Sequence, residues 1–404
     1  MAKVSNLKAR RVLGGVLVAV ALTTAAAAQD TNLQALRTAA EAGDTGAQMA
    51  IGLALLWGPE ADPPQARLFL QQAARSGDMD ATRVLGEHLV GGWVMRRDVP
   101  AGLPLLQAAV AAGDAEAKVV LGSFYLYGTG LERDSARALD LFEDAARAGN
   151  GLGLQRYGEA LMWSRDDPAV AEDYLRRSGE MGVGSAWTTL AEGAMYNYLG
   201  KGSRAKFDGY AERGLTAGEN RIVVLEAQRR MWGISMRASG PEAVALLEQA
   251  ADAGNTEAVR FLIRLVRDGN KYNVRRQPAR ALGYFETYAG LLSAADRARY
   301  SIAFDAAAAR SPTAYAEVAE AFERRGDLKS AAFGKDLFAA NPNLAIYILQ
   351  VDMKRRGVYG GPLDGMAAKS TLSALLGECP TLDDPTQCND TVMHPDVIGA
   401  LLAR

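Results

Sequence analysis

The chain has 404 residues, 49% hydrophobic and 23% charged, which excludes a wholly disordered polypeptide and leaves room for two or three domains' worth of core. Its net charge is −2, and it becomes −6 once Lys3, Lys8, Arg10 and Arg11 of the first segment are set aside. A general polyanion binder, which needs clustered Lys and Arg, is thereby excluded, and no nucleic-acid partner is expected. Two His and two Cys are too few and too scattered for a structural zinc site, so neither a metal nor another cofactor is expected.

Residues 1–28 read as a secretory signal peptide: a basic start, an apolar run from Val12 to Leu22, and an alanine-rich stretch ending in Ala26 and Ala28, with cleavage before Gln29. The apolar run is short of the roughly 20 residues a spanning helix needs, and no other long one follows. The mature chain is expected in the periplasm, with no membrane span.

From there a 36-residue period takes over. Gly43, Gly77, Gly113, Gly149, Gly182, Gly218, Gly254, Gly290 and Gly326 are spaced 34, 36, 36, 33, 36, 36, 36 and 36. Asp44, Asp78, Asp114, Asn150 and Asn255 follow five of these markers and suit helix N-caps. Four residues after the marker stand small residues such as Ala47, Ala81, Ala117 and Gly153; nine after it come Gly52, Gly86, Gly122 and Gly158. Small residues in that register let helix axes approach closely. A second start signal, Asp62, Asp98, Asp134, Asp167, Ser203, Ser239 and Ser311, is followed within two residues by Pro63, Pro100, Pro168, Pro241 and Pro312. Each unit is therefore helix A, a loop, helix B and a terminating glycine. The expected fold is all-α: a right-handed α-solenoid of two-helix repeats over 29–270, degenerate or capping helices over 271–341, and a small C-terminal helical module over 342–404.

The stretch 113–149, GDAEAKVVLGSFYLYGTGLERDSARALDLFEDAARAG, resembles the Sel-one-like repeat, a relative of the tetratricopeptide repeat. The resemblance implies assembly of protein complexes in envelope polysaccharide export, morphogenesis or signalling. Past Gly254 the small residue of the ninth position gives way to Ile263, Arg299 and Lys335, so those units must pack differently.

From Leu344 the pattern changes. Leu349-Gln350, Met353, Gly357, Tyr359, Gly361, Asp364-Gly365, Thr371 and Ala374-Leu375 follow an order that resembles the small three-helix peptidoglycan-binding domain, with Ala368 where that family usually has Gly. That resemblance implies wall contact through Arg356, Tyr359, Asp364 and Thr371, or a helical cap without a ligand. Cys379 and Cys388, the only cysteines, lie close together and are expected to form a disulfide in an exported protein.

No nucleophile elbow, zinc-protease motif or phosphate-binding loop occurs, and no enzyme is expected. His88, on helix A of the second repeat, reads as a surface or groove residue. Trp57, Tyr127, Trp163, Tyr196 and Trp232 recur fourteen residues after the marker and are expected to pack against the next repeat, because repeat registers are set by packing. The off-register Trp93, Tyr125 and Tyr198 are then the candidates for an exposed, partner-binding surface. The leading functional expectation is a non-enzymatic periplasmic scaffold or adaptor, binding envelope proteins through its groove and peptidoglycan through its last module. The alternative is a periplasmic regulator of a membrane sensor kinase or of polysaccharide export or biosynthesis. A wall-lytic enzyme or its activator is disfavoured by the missing catalytic constellation.

Overall fold

The computed structural model describes residues 33–58, 61–201, 204–382 and 385–404; the expected signal peptide and Ser203 lie outside them. Every regular element among the described residues is helical. The chain divides into two compact units, one reaching Gly193 and including Asn197–Lys201, the other comprising Ala194–Tyr196 and Gly202–Arg404.

In the first unit a B helix, α1 (33–41), precedes four A–B pairs: α2 (Thr45–Trp57) and α3 (Pro63–Arg75), α4 (Met79–Gly91) and α5 (Val99–Ala111), α6 (Ala115–Tyr127) and α7 (Ser135–Arg147), α8 (Gly151–Ser164) and α9 (Pro168–Glu180). The A helix α10 (Gly184–Met195) follows, its last turn assigned to the second unit. One two-residue hinge explains the period. Gly149 adopts φ +77°, its N–H donates to Ala146 O, and the Asn150 N–H reaches back to Ala145 O, closing α7 in a Schellman motif. The Asn150 side chain then accepts from Gly153 N at 2.8 Å and caps α8. Gly43-Asp44, Gly77-Asp78 and Gly113-Asp114 repeat the device.

The ninth-position glycines serve another purpose. A Cβ on Gly122 would stand 2.7 Å from the Phe142 ring, and one on Gly86 would meet Gly102 O at 3.0 Å and Leu106 Cγ at 2.9 Å. The two helices of a repeat therefore cross in near-backbone contact, with Leu106 and Phe142 filling the groove. Asp62, Asp98, Asp134 and Asp167 cap the B helices, each accepting from the N–H three residues on.

The second unit opens on α11 (Arg204–Thr216) and continues with α12 (Arg221–Trp232), α13 (Gly240–Asp252), α14 (Thr256–Asp268) and α15 (Pro278–Thr287). Gly218 and Gly254 keep φ of +82° and +87°. The spacing continues to Gly290 and Gly326, but these fall in short 3-10 turns, Ala289–Leu291 and Gly326–Leu328, without the left-handed conformation. The hinge thus ends at Gly254 although the spacing does not.

Six helices complete the unit: α16 (Ala294–Ala308), α17 (Pro312–Arg324), α18 (Ala331–Ala340), α19 (Pro342–Arg355), α20 (Lys369–Glu378) and α21 (Pro395–Leu402). They share one hydrophobic core, in which Phe322 and Leu337 meet Ile346, Leu375 and Val397. The boundary expected between 341 and 342 therefore falls inside a single core. Gly334 of α18 and Gly399 of α21 make the crossing: a Cβ on the first would lie 2.7 Å from Gly399 O. A fully buried guanidinium on α14 ties this body to the repeats. Arg267 grips Asp268 with Nε and Nη2, both at 2.8 Å, and Asp336 of α18 at 2.6 Å. Burial opposes its charge, but the two carboxylates outweigh that and raise its pKa.

Candidate functional site

Three places gather the chemistry. The first is the turn between α19 and α20, where the residues of the C-terminal motif meet. Gln350, with no exposure, is their centre. Its Oε1 accepts from the N–H of Asp364 at 3.1 Å and of Gly365 at 2.8 Å, while its Nε2 lies 3.1 Å from Asp364 Oδ1, Met366 O and Thr371 Oγ1. Tyr359 donates to Pro362 O and stands 3.0 Å from Thr371 Oγ1. Asp364 accepts from Met366 N at 2.8 Å; that backbone bond, followed by the one from Gln350, holds its carboxyl below the ordinary range. Gly365, at φ +75°, places the turn against Asn343 O, where a Cβ would come within 2.4 Å.

These groups bond to one another, so the residues expected at a wall contact are engaged within the turn and its neighbours. Tyr359 and Thr371 are buried and hold the turn closed. Asp364 is half-buried and already bonded, and Arg356 is exposed but paired with Asp352 and Glu378, each at 2.8 Å. The motif residues specify the fold of the turn.

The second place is an open cleft of about 740 Å³ beside the disulfide, lined by polar and apolar side chains alike. Cys379 and Cys388 are joined as expected. Thr381, Gln387, Asp390, His394, Asp396 and Arg404 are among the cleft's lining residues, drawn from the bridged loop, α21 and the C-terminus. Gln387 and Asp390 are exposed, so their hydrogen-bonding groups face solvent. The sequence marked this loop by its cysteines but gave no sign of a cleft, because the walls meet only when α21 and the C-terminus fold back beside the bridged loop.

The third place is the edge where A helices end. Here the aromatics touch the next repeat as expected, but they also stand largely exposed. Trp57, Tyr127 and Trp163 of the first unit are 64%, 68% and 56% exposed, and Trp232 of the second is 45% exposed. They stand at or next to the last residue of an A helix, where the following repeat covers only one side of the ring. Trp57 leans on His88 at 5.2 Å between centroids, Trp163 on Tyr198 at 4.9 Å, and Trp232 on Tyr272 at 5.4 Å. Of the off-register candidates, Trp93 is 61% exposed and touches Phe124, whereas Tyr125 is buried and takes a hydrogen bond from Arg137 at 3.0 Å. Tyr198 is half-buried between Trp163 and the Arg165 guanidinium.

His88, expected at a surface or in a groove, is buried, and its Nδ1 has no hydrogen-bond partner in the protein. Burial lowers its pKa. The unfolded chain takes up a proton near the ordinary value of about 6.5, which the folded chain resists, so stability present at neutral pH is lost as pH falls below that value. His88→Phe, which keeps the ring against Trp57, is expected to show a smaller fall in Tm than the parent between about pH 7.5 and pH 5.5. Equal falls in the two proteins would contradict this assignment.

Among the described residues no cluster of three or more His, Cys, Asp or Glu could hold a metal ion, and no helix is long and apolar enough to cross a membrane.

Comparison with known proteins bears on the repeats. The family model described as the Sel1 repeat matches residues 45–78, 115–150 and 228–255. The likeness is to the Sel1 repeat and is confined to these three segments. Such repeats serve as protein-interaction scaffolds. Among solved structures, the chain is similar to a protective antigen of uropathogenic Escherichia coli strains displaying an SLR fold, with 21% identity over 80% of this chain and 75% of that one and a TM-score of 0.44. It is also similar to a Sel1 repeat protein from Oxalobacter formigenes, with 20% identity, 52% and 85% coverage and a TM-score of 0.43. A third likeness is to immunity protein Pa5087 from Pseudomonas aeruginosa, with 19% identity, 53% and 81% coverage and a TM-score of 0.36. No curated protein matches the chain.

Proposed function

We propose that this protein is a non-catalytic adaptor of the bacterial envelope, exported by its first 28 residues, whose Sel1 repeats engage a partner and whose C-terminal helices bind peptidoglycan. The observation that carries the wall-binding half is the open cleft beside the Cys379–Cys388 bridge. The exposed Gln387 amide and Asp390 carboxylate offer donors and acceptors to a ligand that is itself sugar and peptide. The disulfide closes a short loop and so limits the freedom of one wall, which lowers the entropy lost when a ligand orders it. The repeats supply the other half: their small and capping residues are committed to packing, which leaves loops and helix ends for recognition.

The test is sedimentation with isolated sacculi of the mature chain, residues 29–404, beside Gln387→Ala/Asp390→Ala. Both substituted side chains are exposed, so the fold is retained, and matching circular dichroism and Tm check this. The parent protein is expected in the pellet and the double variant in the supernatant. A parent that stays in the supernatant, or a variant that pellets equally well, would overturn the assignment of the cleft.

A further inference from the structure

The loops that follow the A helices differ in charge between the two units. In the first unit each B helix after such a loop is capped by an aspartate, Asp62, Asp98, Asp134 or Asp167. With Glu132 and Asp166 these outnumber Arg96, Arg97, Arg133 and Arg165. In the second unit the described caps are neutral. Ser239 caps α13, accepting from Glu242 N at 3.3 Å, and Gln277 stands at the same place before α15. The loop 233–239 carries Arg237, the loop 269–277 carries Lys271, Arg275 and Arg276, and neither holds a carboxylate.

The two loops form one surface. Asn273 Nδ2 donates to Met231 O at 2.8 Å, the Trp232 and Tyr272 rings meet at 5.4 Å, and Asn273 O leaves no room for a Cβ on Gly240. The second loop is fixed from within, because Asn270 Oδ1 accepts from the N–H groups of Tyr272, Asn273 and Val274 at 3.0, 3.0 and 2.9 Å. Two open clefts of about 490 and about 310 Å³ meet at Gly240, Pro241 and Asn273. Arg204, Arg230 and Arg237 line the first, with Glu242; Arg275 and Arg280 line the second, with Glu248. Three of these cations have acidic neighbours: Arg204 lies 3.5 Å from Asp208, Arg230 2.8 Å from Glu226, and Arg280 2.8 Å from Glu248. Arg237, Lys271 and Arg275 are exposed and in no ion pair among the described residues. Clefts lined by one sign of charge concentrate its field, so these cations act together on an approaching anion.

We propose, on the adaptor reading given above, that this edge of the second unit docks an extended acidic segment of the partner protein. A small anion held in one cleft would leave the other unmatched, whereas a chain with carboxylates at intervals reaches both. Guanidinium forks take carboxylates in paired hydrogen bonds, and the Trp232 and Tyr272 rings, 45% and 80% exposed, offer apolar contact beside them. The first loop and α13 fall within residues 228–255, which match the Sel1 repeat, a protein-interaction scaffold. That favours a peptide over a glycan or a nucleic acid. The second loop is already ordered, so docking costs little of its freedom.

A short labelled peptide of alternating Glu and Gly is the probe, titrated with the mature chain and followed by fluorescence anisotropy. Saturable binding is expected, weakening at least about tenfold between about 50 and about 500 mM salt, with a Gln–Gly peptide inactive. Arg237→Glu/Arg275→Glu is expected to weaken binding at least about tenfold and Arg237→Gln/Arg275→Gln less, while Arg96→Glu/Arg133→Glu in the first unit leaves it unchanged. All four side chains are exposed, and an unchanged Tm shows that the variants are folded. No binding, unchanged affinity in Arg237→Glu/Arg275→Glu, or an equal loss in the first-unit variant would each overturn the proposal. So would tighter binding of oligo-dT or of phosphatidylglycerol vesicles, which would make the edge a nucleic-acid or a membrane surface. Crosslinking in envelope extract separates this surface from the adaptor reading. The parent is expected to form an adduct that Arg237→Glu/Arg275→Glu loses. An adduct formed equally by both would leave the adaptor standing without this surface, and no adduct with either would overturn both.

Discussion

Replacing Arg267 by methionine is expected to destabilise the second unit by about 3–5 kcal/mol, the range for removing one partner of a buried ion pair. The guanidinium has no exposure, and Asp268 and Asp336 on either side are largely buried, so its loss leaves two carboxylates facing each other across an apolar gap. The penalty comes from the stranded charges more than from the lost attraction. Arg267→Met/Asp336→Leu is therefore expected to recover a large part of the loss, because it removes the worse of the two stranded groups. Four of the five tryptophans, Trp57, Trp93, Trp163 and Trp187, belong to the first unit, so their fluorescence is a poor reporter here. Hydrogen exchange along α14 and α18, with urea unfolding followed by circular dichroism, reads the effect. Unchanged protection in both helices of Arg267→Met would refute the role of the clamp.

A comparable loss is expected at Gln350. Leucine there fills the space but leaves the N–H groups of Asp364 and Gly365 without an acceptor, at about 1–3 kcal/mol each. Gln350→Glu is expected to be no better. It keeps an acceptor for the two N–H groups but turns a second oxygen toward Asp364 Oδ1, Met366 O and the Thr371 hydroxyl, where the amide nitrogen had donated. Both variants are expected to lower Tm and to release exchange protection from Gly357 to Thr371. A Gln350→Leu protein as protected there as its parent would show that the turn is held by its apolar neighbours alone.

The repeats were legible because their determinants are local. A glycine at the hinge, an Asp or Asn after it and a cap before each B helix act within a few residues, so their spacing reads directly as helix ends. Spacing alone does not say which side of a periodic residue is covered. Trp57 and Trp163 were expected to pack, and they do touch the next repeat, yet over half of each remains exposed because a helix end is covered on one side only. Nor does spacing report what the backbone does: Gly290 and Gly326 keep the interval without the left-handed turn. The Arg267–Asp336 clamp spans 69 residues and leaves no local pattern to read. The C-terminal motif was legible as a set of residues that meet in one turn. Gln350, Tyr359 and Thr371 are the types that close this turn, so their pattern identifies the local fold and says nothing of where a ligand would lie.

The wall-binding half of the account is decided by one measurement, a competition at the sacculus. The mature protein is bound to isolated sacculi, soluble muropeptides are added in rising concentration, and the protein left in the pellet is recorded. Muropeptides are expected to release the parent saturably, and Gln387→Ala/Asp390→Ala to show little bound protein at the start. Parent protein that stays in solution throughout, or a double variant bound and released like the parent, would contradict the account.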